Sequence, residues 1–228
     1  MARLARVVLP GFPHHVLQRG VRSLAIFRAD ADRQAYLHLL ATFTARHGVQ
    51  VWAWCLMTNH VHLVLVPAQE ASLAQAIGET HRRYTRAVNF REGVRGHLFQ
   101  ERFHSFPIQD DRHLLAVVRY VECNPVRARM VPRAVDHPWS SAQHHATGTP
   151  DRLVRTSPIR QLAPDWARVL QDAELPLDVI RRHVRTGRPW GTPDWVRGLE
   201  QRLGRPLLPR HGGWPKGRTR RHPRVVLE

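Results

Sequence analysis

The run Cys55-Leu-Met-Thr-Asn-His-Val-His-Leu-Val-Leu-Val66, closed by Pro67, constrains the fold more than any other segment of this chain. Val61, Leu63, Val64, Leu65 and Val66 are β-formers in a nearly unbroken apolar series, the pattern of a strand buried on both faces. Side chains alternate along a strand, so His60 and His62 fall on one side of it, one hydrophobe apart. Two readings are open at this point. The imidazoles form a ready-made pair of metal ligands, or they sit in a core strand, each satisfied by a hydrogen bond.

Charge narrows the partner. The chain carries 35 Lys+Arg against 18 Asp+Glu, a formal net charge of +17, far beyond what solubility requires. A polyanion is the natural ligand and nucleic acid the commonest one. Lys216 is the sole lysine, and the planar guanidinium of Arg suits bidentate contact with phosphate and guanine, although a coding bias toward Arg would give the same excess. Two cysteines, Cys55 and Cys123, cannot build a disulfide framework or a thiolate zinc site, which fits a reducing cytoplasm. No stretch has the length of a transmembrane helix, and the N-terminus lacks a signal-peptide apolar region, so no membrane partner is expected.

Residues 13–19 read as a first strand closed by Gly20, and Asp30 to about His47 as an amphipathic helix with Ala31, Ala35, Leu39 and Phe43 every four residues. Val49–Leu56 and His60–Val66 make an antiparallel hairpin across a three-residue link. Ser72 caps a second helix running to about Val88, residues 103–108 make a fourth strand, and Asp110 or Asp111 caps a third helix ended by Pro125. The order βαββαβ followed by a helix predicts an α+β sandwich, ferredoxin-like or RRM-like, an antiparallel sheet with helices on one face. Residues 1–145 are expected to form the main domain, 146–210 a basic helical extension with patches at 164–171, 177–185 and 193–203, and 211–228 a basic tail. From Arg181 to Glu228 there are 13 Lys+Arg and 3 Asp+Glu, so the end of the chain supplies much of the positive charge. Gly187-Arg188-Pro189 and Gly204-Arg205-Pro206 echo each other; such a tripeptide can lay Arg into a minor groove or simply end a helix in a solvated basic segment.

In the third helix Leu114, Val117, Val118 and Val121 form the core stripe, which leaves Tyr120 and Asn124 on a flank one turn apart. If that flank faces His60 and His62, two imidazoles and an amide oxygen make an open coordination sphere beside a phenol. That set is suited to nucleophilic phosphoryl transfer. Taken alone, Tyr120 reads as a half-buried aromatic with its hydroxyl at the surface, and the spacing is what raises it to a candidate.

Leu-Met-Thr-Asn-His-Val-His62, Gly96-His-Leu-Phe-Gln-Glu-Arg-Phe-His-Ser105, Arg119-Tyr-Val-Glu-Cys-Asn-Pro-Val-Arg-Ala128 and Trp139-Ser-Ser141, in this order, closely resemble the single-tyrosine HUH transposases, the IS200-like family, and within them the REP-associated tyrosine transposases. The resemblance implies a ferredoxin-like catalytic domain with His60, His62 and Asn124 as ligands for Mg2+ or Mn2+ and Tyr120 as the catalytic nucleophile. It implies cleavage and rejoining of single-stranded DNA near imperfect hairpins through a 5′-phosphotyrosine, by a monomer or homodimer in the cytoplasm, associated with the nucleoid. Here the first-strand signature runs Gln18-Arg19-Gly20-Val21-Arg22-Ser23 without the Asn and Arg often found in relatives, and Thr58 stands where relatives commonly have Pro. Candidate DNA contacts are Arg19, Arg82, Arg83, Arg86, Arg102, Arg127, Arg188 and Arg205, with Arg102 and Arg127 expected near the site. The competing reading is a non-catalytic protein, derived from a transposase, that grips hairpin DNA or RNA; a third is a zinc-supported site with no tyrosine intermediate.

Overall fold

The computed structural model describes residues 5–172 and 175–209. The tail expected at 211–228 lies outside the described residues. Strand β1 (His14–Arg19) leads through a short 3-10 turn to α1 (Asp30–Arg46), then β2 (Val49–Leu56), β3 (His60–Pro67), α2 (Ser72–Glu92), β4 (His104–Pro107) and α3 (Asp111–Glu122). The four strands form one antiparallel sheet in the order β2-β3-β1-β4, the ferredoxin-like connection read from the βαββαβ order.

Alternation along the strands sorts the two faces. Val61, Leu63 and Leu65 of β3, with Val16 of β1 and Trp54 and Leu56 of β2, pack beneath α1 and α2. His60, His62 and Val64 take the other face, where Ala53, Cys55 and Phe106 meet Leu114, Val117, Val118 and Val121 of α3. Helices α1 and α2 thus sit on one face as expected, and α3 adds a layer on the opposite one. The core stripe of α3 explains this: the first face is already filled by the longer pair, so the third apolar stripe closes the remaining side. A bulge between Val51 and Ala53 lets β2 keep Val49 and Val51 on the same face as Trp54 and Leu56.

Asp110 caps α3, its carboxylate accepting from His113 N at 3.0 Å. A break at Cys123 separates α3 from one further turn, α4 (Asn124–Arg127), which has Pro125 in its first turn. The rest of the chain covers the sheet edges. Trp139 to Ser141 lies against β2, with Leu56 N donating to Trp139 O at 2.8 Å and Ser141 N to Trp54 O at 3.0 Å. Beyond the short helices α5 (Ala142–Thr147), α6 (Ile159–Leu162) and α7 (Trp166–Val169), α8 (Leu177–Thr186) leads to Trp190. Trp190 forms a parallel bridge with Ile108 just past β4, so each edge is covered in part. Ile180 and Trp190 are buried in the cluster that holds α3. Helix α9 (Pro193–Leu203), capped by Thr192 as its sequence signals, buries Val196 and Leu199 against Val7 and Leu9 of the N-terminal segment. No helix among the described residues is long and apolar enough to cross a membrane.

Candidate active site

The site forms where the polar end of the α3 face opens. Pairing of β1 with β3 sets Leu17 opposite His62 and Arg19 opposite His60. Gly20 ends β1 where a Cβ would meet Leu24 O at 2.3 Å, and its N–H donates to Asn59 O at 2.8 Å; only glycine fits this approach, which holds the residue preceding His60 against β1. Asn59 donates from Nδ2 to Ser23 O at 3.0 Å, which orients its amide, and its Oδ1 lies 2.6 Å from His60 Nδ1. A carbonyl oxygen can only accept, so His60 carries its proton on Nδ1 and keeps the Nε2 lone pair. Burial, and secondarily the Arg19 charge, lowers the pKa of His60 to about 4. Burial, followed by the neighbouring His15 and His60, holds His62 well below its ordinary value. Both imidazoles are therefore neutral near pH 7, the form that ligates a cation.

Sequence reasoning missed His15. Its Nε2 lies 3.0 Å from His62 Nδ1, the rings stacked with centroids 5.2 Å apart. With the shared proton on His62 Nδ1, Nε2 of His62 is the free lone pair, the arrangement in which a second residue orients a metal-binding histidine. The signal was present in the His14-His15 pair, but which of the two shares a face with His62 is known only from the register of β1.

Tyr120 stands edge-on to His62, ring centroids 5.5 Å apart at 87°, and edge-on to His15 at 6.0 Å. Its ring is buried to 8% exposure, and no protein group among the described residues hydrogen-bonds its hydroxyl. Arg127 lies over this ring at 4.3 Å and donates from Nη2 to Tyr120 O at 2.7 Å, while its Nη1 is buried without a partner. His60, His62, Tyr120, Asn124, Arg127 and Arg19 line one cavity of about 700 Å³. Helix α8 closes its far side with Arg181 and Arg185, and supplies Asp178, the one carboxylate of the lining. Sequence reasoning missed all three, because nothing local to α8 indicates which surface it covers.

Just behind Tyr120 a buried network anchors the end of α3. Glu122 is fully buried, and its Oε1 accepts from Ser141 Oγ at 2.5 Å and His145 Nδ1 at 2.6 Å while Oε2 accepts from Trp166 Nε1 at 2.7 Å. Ser141 in turn receives Trp54 N at 3.0 Å. The helix that carries Tyr120 is thereby tied to β2, α5 and α7 at once.

The other candidate arginines lie outside the cavity. Arg82 and Arg83, on the opposite face of the sheet, pair with Glu79 at 2.7 and 3.3 Å. Arg86 lines a separate groove with Arg82. Arg102, expected near the site, lines a recess beside the cavity that shares Arg185 with it. Arg205 donates to Ala5 O and Arg6 O at 2.8 and 2.9 Å, and Arg188 donates to Leu207 O, so both Gly-Arg-Pro arginines tie chain segments together. Trp54, Phe99, Phe103 and Phe106 are core residues, and both cysteines are buried and free. No group of three or more His, Cys, Asp or Glu among the described residues could hold a metal; the donor set at the cavity is two imidazoles and an amide.

The family model for IS200-like transposases matches residues 13–124. The structure of a REP-associated tyrosine transposase bound to a REP hairpin is similar to this chain with a TM-score of 0.56 at 19% identity, covering 68% of this chain and 92% of that one. A candidate transposase from Deinococcus radiodurans R1 aligns at a TM-score of 0.36 and 17% identity, over 57% of this chain and 98% of that one. No curated protein matches in sequence. The segment matched by the family model runs from the start of β1 to Asn124, so it contains both histidines of the cavity, Tyr120 and Asn124; over those residues the chain matches the IS200-like transposase family.

Proposed function

We propose that this chain is a metal-dependent single-stranded DNA endonuclease and strand transferase that cleaves and rejoins hairpin-bearing DNA through Tyr120. The observation that carries the reading is the unspent hydroxyl of Tyr120, in the same cavity as the neutral His60 and His62 and facing a basic lining. The hairpin partner is supported by the similar REP-associated transposase, which is bound to a REP hairpin.

The donor set fits a divalent ion such as Mg2+ or Mn2+: two neutral imidazoles and the Asn124 oxygen leave positions open for phosphate oxygens and water. Such an ion, when bound, withdraws charge from a phosphate and makes it electrophilic. Tyr120 Oη then attacks phosphorus, the bond from phosphorus to the 3′ oxygen breaks, and the phenolic proton passes to the departing 3′ hydroxyl through solvent. The 5′ end stays on the tyrosine as a phosphodiester. A 3′ hydroxyl reverses the exchange, and because one phosphodiester replaces another no external energy is needed. Arg127, with its unpartnered Nη1, is suited to the charge that develops on the phosphate oxygens.

The test is a denaturing gel of the full chain with a labelled hairpin-bearing oligonucleotide and Mn2+. Label travelling with the protein, and lost in Tyr120→Phe while hairpin affinity stays, is expected. Cleavage with no label on the protein would leave a hydrolytic site in its place.

A further inference from the structure

The last turn of α2 carries Phe90 at 90% exposure, and Val94, just beyond the helix, is 51% exposed. A Phe ring left in water on a helix with buried alternatives has no structural purpose of its own, and here it is surrounded by charge. Arg86 lies one turn before it on the same side, and Arg82 one turn before that. Gly93 ends the helix in the left-handed conformation (φ 65°), a turn held by Val94 N to Asn89 O at 3.0 Å and Asn89 Nδ2 to Gly96 O at 2.9 Å. That turn brings Arg95 back to the groove of about 570 Å³ that Phe90, Arg82 and Arg86 line. No acid lines it, and neither Arg86 nor Arg95 has an ion pair among the described residues.

The groove does not stand alone. It shares Arg82 and Thr85 with a second recess along α2 that reaches Arg102 and Phe103. That recess shares Arg102 and Phe103 with a third, which contains Arg185, and Arg185 lines the Tyr120 cavity. The adjoining recesses pass round the β4 side of the sheet and join its two faces.

We propose that this path is a binding track for the unpaired arm of a DNA substrate, with Phe90 stacking on a base at its far end and Arg82, Arg86, Arg95, Arg102 and Arg185 taking successive phosphates. The inference rests on the DNA-cleaving reading of the Tyr120 cavity, which it extends. A paired duplex offers phosphates but no free base face, so the combination of a bare aromatic with arginines selects single strands. A second copy of this chain would bring the same positive charges together, which opposes self-association through this surface.

The experiment uses the full chain with two probes: an oligodeoxythymidine carrying one 2-aminopurine, and a blunt duplex of the same length. Phe90→Ala is expected to weaken single-strand binding by about tenfold, the scale of one lost base stack, and to leave duplex binding within about twofold. Phe90→Trp restores both the affinity and the quenching of 2-aminopurine. Arg86→Ala and Arg95→Ala each lower the salt slope for the single strand by about 0.7. Phe90 is exposed, so its replacement leaves the fold intact. Unchanged single-strand affinity in Phe90→Ala, equal losses on both probes, or a change in sedimentation that reveals a dimer through Phe90 would each overturn the track. If Phe90→Ala binds normally yet still forms the Tyr120 adduct, the track alone fails; if the wild-type chain binds no single strand, the track and the proposed substrate fail together.

Discussion

The chain has three tyrosines, and they divide between the two faces of the sheet. On the α1/α2 face Tyr84 donates its hydroxyl to Ile26 O at 2.7 Å and Tyr36 pairs with His81 Nε2 at 3.0 Å, their rings packed against each other and against Phe27. Burial pushes both phenols far above their ordinary pKa. On the α3 face Tyr120 packs its ring as closely, against His62 and His15, yet its hydroxyl is spent on no protein group among the described residues. The same residue type is therefore a structural strut on one face and, on the other, a ring whose hydroxyl is left for the cavity, which is what the proposed nucleophile needs. The difference comes from what each face is made of: a closed apolar layer with a polar partner for every hydroxyl, or a layer that is apolar for most of the length of α3 and polar where α3 ends.

The comparison breaks most visibly at the histidines. His60→Ala or His62→Ala should reduce Mn2+ affinity in calorimetric titration by more than about 100-fold, above the range of a change that only disturbs a ligand's support, with Asn124→Ala losing less because an amide is the weakest donor of the three. Undiminished affinity in both histidine variants would move the metal elsewhere. Next in size is Glu122→Ala, which strands three buried donors and should cost about 3–5 kcal/mol in denaturant unfolding. A loss under about 1 kcal/mol would mean that the network does not hold α3. Acid should weaken the closed face as well. Burial lowers His81 to about 3 and His14 to about 4, so between pH 6.5 and about 4 the unfolded chain binds protons that the folded chain refuses. Their contribution to stability is complete above pH 6.5 and is lost as pH falls; a thermal midpoint constant from pH 7 to 5 would contradict this. Smallest is Tyr84→Phe, which orphans one carbonyl and should cost about 1 kcal/mol without altering DNA cleavage.

Much of the fold was legible because its signals are local. Gly48 and Gly204 stop helices where expected, the 49–56 and 60–67 strands follow their β-branched runs, and Thr192-Pro193 starts α9 at the predicted residue. That His60 and His62 share one side of a strand, and Tyr120 and Asn124 one flank of a helix, was legible for the same reason; that the two flanks meet was left open by spacing and implied only by the resemblance. What depends on long-range register was not legible. His15 reaches His62 from a strand 47 positions away in sequence, and Arg181 and Arg185 reach the cavity because Ile180 is buried against the α3 layer. Charge marks the end of the chain as a basic segment, and charge does not report that Ile180 and Trp190 are buried in the cluster that holds α3. Likewise nothing local to Gly-Arg-Pro chose between a groove-binding arginine and a helix stop, because the backbone carbonyls to which Arg188 and Arg205 donate belong to other segments of the chain.

The most direct measurement asks which tyrosine is modified. The full chain, reacted with a single-stranded oligonucleotide and Mn2+ and then digested with protease and nuclease, can be mapped by mass spectrometry. The account predicts a nucleotide joined through its 5′ phosphate to the peptide containing Tyr120, and unmodified peptides for Tyr36 and Tyr84. A nucleotide on either of those tyrosines, or cut DNA with no nucleotide on the protein, would contradict it.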